Sequence, residues 1–108
     1  MSQFRDQASL HPTEGARFLF ERETVSAGHK NGGYRVVVFT PDDRFEYRAD
    51  MSLDGTFEVT PGERSASADN EKKLRAIAKL IARSSGRKQS QELPPWPHRV
   101  LRWRGPGR

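Results

Sequence analysis

Ten side chains toward the C-terminus form the strongest concentration of a single chemistry in this sequence: Lys72, Arg75, Lys79, Arg83, Arg87, Lys88, Arg99, Arg102, Trp103 and Arg104. Nine are cations at neutral pH. Clustered lysine and arginine attract phosphates without regard to sequence, and arginine beside tryptophan stacks on bases or settles at an anionic membrane surface. Glu71 is the sole acid beside the helical members of this set, so the usual acid–base lacing of a solvated helix is missing. Two structural explanations stand beside the binding one. Surface helices carry lysines for solubility alone, and Trp96, Val100, Leu101 and Trp103 can dock on the body, with His98–Arg104 as a further strand.

The charge distribution sharpens the contrast. Of 19 Lys/Arg and 14 Asp/Glu, residues 1–70 hold 8 and 12, and residues 71–108 hold 11 and 2. A net charge of +5 therefore divides into a mildly acidic body and a strongly basic end. Basic residues on one element mark an electrostatic footprint, and nucleic acid is the expected partner, DNA or RNA alike, with another protein as the alternative.

Other chemistry is sparse. His11, His29 and His98 have no partner spacing for zinc or a catalytic triad. The run Gly28-His29-Lys30-Asn31-Gly32-Gly33 lacks the Gly-Lys-Ser/Thr ending of a phosphate-binding loop and reads as a hairpin tip. Asp42-Asp43 is explained by turn formation, and no third carboxylate follows at calcium-loop spacing. With no cysteine, thiolate zinc sites, disulfides and a cysteine nucleophile are all excluded. No catalytic, cofactor-binding or metal-binding residue is assigned, and the expected protein is not an enzyme.

The elements that must position the basic residues follow from hydrophobic period. With 108 residues and 33% hydrophobic content, one small core in a single α+β domain over 16–86 is expected, flanked by a loose N-terminal arm (1–15) and a basic tail (87–108). Strand alternation buries Phe18 and Phe20 and turns Leu19, Glu21 and Glu23 outward. It places Tyr34, Val36 and Val38 on one face of the next strand, and Phe45, Tyr47, Ala49 and Met51 on one face of the third. A tip at Asp42-Asp43 would set Val38 opposite Tyr47 and Val36 opposite Ala49. A three-residue tip, Leu53-Asp54-Gly55 with Gly55 left-handed, pairs Met51 with Phe57 and Ala49 with Val59; a two-residue tip sends Phe57 and Val59 to the wrong face.

Ser65, Ser67 or Asp69 then caps a helix that Gly86 ends, with Leu74, Ile77, Ala78 and Ile81 as its apolar stripe. The fold expected is two layers: a four-stranded antiparallel meander in the order β-β-β-β-α, with one helix on one sheet face. At 100° per residue, Lys72, Arg75, Lys79 and Arg83 lie opposite the stripe. The other sheet face should carry Arg35, Arg44 and Arg48 against Glu21, Glu23, Glu46, Asp50 and Glu58, which disfavours a sheet platform for phosphates.

Pro94-Pro95-Trp96-Pro97 forbids a continuing helix and has the form of a short polyproline ligand. The start lacks a signal-peptide apolar run and no stretch reaches membrane-span length, so a cytoplasmic location is expected. The function expected is low-specificity nucleic-acid binding to backbone phosphates by the helix and tail. The alternative is a protein-interaction module acting through the Pro-Trp-Arg tail and the acidic sheet face; attachment of the tail to an anionic membrane is a third.

Overall fold

A computed structural model describes residues 10–106. Strands β1 (Ala16–Val25), β2 (Asn31–Phe39), β3 (Arg44–Ser52) and β4 (Phe57–Pro61) form an antiparallel meander. Helix α1 (Ala68–Ser90) follows, and β5 (Arg99–Arg104) returns to pair antiparallel with β1. The sheet order is β4-β3-β2-β1-β5 with the helix packed on one face, an α+β fold.

Alternation builds the main core. Phe18, Phe20, Tyr34, Val36, Val38, Tyr47, Ala49 and Met51 point to the helix and meet Leu74, Ile77, Ala78, Ile81 and Ala82. Each fully buried large apolar side chain contributes roughly 1.5–3 kcal/mol, enough to hold a short sheet against a single helix. The β3–β4 register places Met51 opposite Phe57 and Ala49 opposite Val59, and Gly55 is left-handed at φ 92°.

The β2–β3 register differs from the expected one by two residues: Val38 faces Phe45, Val36 faces Tyr47 and Tyr34 faces Ala49. The Asp43 side chain and carbonyl serve the turn rather than its tip. Thr40 N–H donates to Asp43 O at 2.9 Å, and Asp43 N–H to Thr40 Oγ1 at 3.1 Å, which leaves Pro41-Asp42 at the tip. A two-residue slip preserves the facing of every side chain, so the apolar pattern alone does not distinguish the two registers.

Leu19, expected to face out, is buried on the opposite sheet face with Leu10, Val37 and Phe39 in a second apolar cluster. That cluster gives residues 10–15, expected within a loose arm, a place to pack. Leu10 and Pro12 are buried, and His11 Nδ1 lies 2.7 Å from Thr40 O with its ring edge-on to Phe39. Residues 1–9 of the expected arm lie outside the described residues.

Ser67 caps α1, its Oγ accepting from Asn70 N–H at 3.1 Å. The helix does not stop at Gly86 but runs to Ser90. Gly86 instead permits close approach, because a Cβ there would stand 2.5 Å from Leu53 O in the β3–β4 loop. The 91–98 segment that follows is tied to the body. Trp96 is buried, its indole Nε1 donating to His29 O at 2.8 Å, while the Tyr34 hydroxyl donates to Pro97 O at 2.6 Å.

Candidate nucleic-acid interface

The basic residues fall into two groups joined at one side chain. Lys72, Arg75, Lys79 and Arg83 are exposed along the back of α1, opposite the core stripe. On the flank of α1 that faces β5, a groove of about 410 Å3 runs between helix and strand. Arg87, Lys88, Arg99, Arg102 and Arg104 border it. Arg87 also borders, with Arg83, a shallow depression beside Asp54 and Gly55, and so links the groove to the ridge.

Strand pairing decides which β5 residues look into the groove. Val100, Arg102 and Arg104 stand opposite Phe20, Phe18 and Ala16 and share their helix-side face. Arg99, Leu101 and Trp103 alternate onto the other face. Trp103 therefore does not join the cation cluster: its indole Nε1 donates to Glu14 O at 3.0 Å, and it remains 48% exposed. Trp96, the other tryptophan, belongs to the core, and Pro95 is buried beside it, so half of the Pro-Pro-Trp-Pro segment packs against the body.

The electrostatic contrast between the two layers is sharp. On the outer sheet face Arg35 and Arg44 both reach Glu46, at 3.3 and 3.2 Å, and Arg48 reaches Glu23 and Asp50 at 3.5 and 3.4 Å. None of the nine cations of the ridge and groove makes an ion pair among the described residues. Arg102 Nη1 donates to Leu101 O at 2.9 Å and Arg104 Nη1 to Trp103 O at 3.0 Å, so these two guanidinium groups fold back along their own strand. Such cations keep their full attraction for an external anion, whereas the paired arginines do not.

No family model matches the chain, and no curated protein or solved structure matches it.

The groove wall escaped sequence reasoning. Leu80 is 57% exposed and, with Ile77 and Ile81, lines the helix side opposite Val100. Its position flanking the core stripe was visible; that β5 would stand across from it was not. Ser85, fully buried at the same wall, has a hydroxyl without a hydrogen-bond partner among the described residues. Lys73 is set apart from its neighbours: it pairs with Asp69 at 2.8 Å and donates to Gly105 O at 2.9 Å, pinning the chain after β5 to the start of α1.

The remaining titratable groups sit apart from the groove. His11 lies against Thr40, His29 is exposed in a 3-10 turn, and His98 has ring nitrogens 3.1 Å from Arg22 Nη2. Asp43 is held down to about 2, first by its hydrogen bond from Arg64, with Oδ1 and Oδ2 at 2.6 and 2.9 Å. It serves the β2–β3 turn. Among the described residues no group of three or more histidine, aspartate or glutamate side chains gathers, and no helix is long and apolar enough to cross a membrane.

Proposed function

We propose that this protein binds nucleic acid through backbone phosphates, with low sequence specificity and without catalysis. The contact would spread over the back of α1 and the rim of the α1–β5 groove. One observation carries the reading: the eight cations on that side, Lys72, Arg75, Lys79, Arg83, Arg87, Lys88, Arg102 and Arg104, make no ion pair among the described residues, while Arg35, Arg44 and Arg48 of the opposite sheet face are held in ion pairs. Exposed pairs of that kind contribute little to stability, so what distinguishes the two sides is their availability to a polyanion. The absence of an aromatic side chain from the groove argues against base-by-base readout and favours phosphate contact.

Binding should be strong in low salt and weaken steeply as salt is added. If the four cations that face the groove, Arg87, Lys88, Arg102 and Arg104, each neutralise one phosphate of a single strand, log K falls against log salt with a slope of about −3; six phosphates of a duplex give about −5. Fluorescence anisotropy of a labelled oligonucleotide across a salt series measures it. A flat dependence, or no binding at low salt, rejects the proposal.

A further inference from the structure

The outer edge of β5 offers a backbone chemistry that the proposed phosphate contact does not use, although the two share Arg102 and Arg104. Among the described residues β5 closes one end of the sheet and pairs only with β1. In such a strand alternate residues turn their N–H and C=O away from the sheet, where they can pair with an added strand. The two carbonyls that accept from arginine side chains, Leu101 O and Trp103 O, are two residues apart and so point the same way. With no strand beside them among the described residues, guanidinium groups satisfy them.

The side chains beside that edge form two chemically different rows. On the helix-side face stand Arg102 and Arg104, without ion pairs among the described residues. On the other face stand Leu101 and Trp103, the latter 48% exposed despite its size. A strand laid along β5 presents its own side chains to these rows alternately, because directly opposed residues of paired strands share a face.

We infer that the β5 edge docks an extended segment of another protein in which acidic and apolar side chains alternate. Acidic residues of the segment meet Arg102 and Arg104 on the groove side; apolar residues cover Leu101 and Trp103. The backbone of the segment replaces the guanidinium donors at Leu101 O and Trp103 O, releasing both arginines to pair with the incoming carboxylates. A second copy of this chain does not fit, since β5 carries no acid and β4, the other free edge, carries Glu58 alone against two arginines.

Amide hydrogen exchange of the full chain, followed by NMR, tests this with a synthetic peptide alternating glutamate and valine. Exchange of the Leu101 and Trp103 amides is expected to slow by roughly tenfold or more at saturation, and the Trp103 indole resonance to move. A peptide of the same composition with its glutamates and valines in separate blocks should protect neither amide. Equal protection by both peptides, or binding without protection of those amides, overturns the inference. So does an Arg102→Glu variant that binds the alternating peptide unchanged, where a loss of about tenfold is expected. Self-association that protects the same amides without peptide also overturns it. The salt series with oligonucleotide is a separate measurement, so failure here leaves the nucleic-acid proposal standing, and the reverse.

Discussion

The indole of Trp96 rests directly on the backbone of Gly32, so closely that a Cβ at Gly32 would lie 2.7 Å from Trp96 Cδ2 and 2.9 Å from Cε3. Neither partner is free to retreat. Gly32 is held in β2 between Val25 and Met51, and the indole is fixed by its bond to His29 O and by the Tyr34 ring, 6.4 Å away between centroids. The contact joins the 91–98 segment to the centre of the sheet and so fixes where β5 can begin.

Gly32→Ala should therefore destabilise the protein by about 1–3 kcal/mol, the usual cost of overpacking a core contact. Urea denaturation reads the difference. An unchanged midpoint would show that the indole can shift without loss.

Trp96→Ala should cost more, roughly 3–5 kcal/mol, because it empties a buried aromatic site. It also removes the anchor of a segment whose carbonyls accept from Arg22 Nη1 at 2.8 Å and from the Tyr34 hydroxyl at 2.6 Å. Amides of β5 should exchange faster in this variant than the loss of global stability alone requires. If β5 protection falls only in step with the rest of the sheet, Trp96 is a core residue and not the clasp of the strand.

Tyr34 predicts an alkaline limit. Burial pushes its phenol up from 10.0 to about 12, partly offset by the nearby Arg22 charge. Below the ordinary value the phenol is protonated in both folded and unfolded chains and adds no pH dependence. Between about 10 and about 12 the unfolded chain releases this proton and the folded chain keeps it, so stability falls as pH rises. Denaturation midpoints across that range should fall, and Tyr34→Phe should flatten the part of the decline owed to this group. An identical slope in the variant would refute the assignment.

Loss of one ridge cation should act on nucleic-acid affinity through charge. Arg83→Gln is expected to weaken binding to all sequences alike and to make the salt slope shallower by about 1. Arg35→Gln, on the ion-paired face, should leave the slope where it was. Equal effects from the two would mean that net charge, and not the helix side, governs binding.

Much of the fold was readable because period and facing are local properties. Tyr34, Val36 and Val38 alternate, Leu74, Ile77, Ala78 and Ile81 recur at helical spacing, and the Leu53–Gly55 turn was settled by asking which register keeps Phe57 and Val59 with Met51 and Ala49. Where two answers gave the same facing, as with the Pro41–Asp43 turn, the pattern had no power to choose. Backbone and side-chain bonds at Thr40 and Asp43 made the choice instead.

Gly86 shows the opposite limit. As a residue type it signals a helix end, yet the helix passes through it, and the position lacks a side chain because Leu53 O leaves no room for one. Contacts between residues far apart in the chain do not register in local composition.

The sequence alone determined that the charge is asymmetric, that one helix must cover an aromatic and aliphatic sheet face, and that Lys72, Arg75, Lys79 and Arg83 lie opposite that helix's apolar stripe. These follow from side-chain chemistry and from 3.6- and 2-residue periods. Tertiary structure decided that Trp96 belongs to the core and Trp103 to a free edge, and that Arg102 and Arg104 face the helix across a groove. Those assignments depend on β5 pairing beside β1, a contact spanning most of the chain, and its register sets which face each arginine and tryptophan occupies.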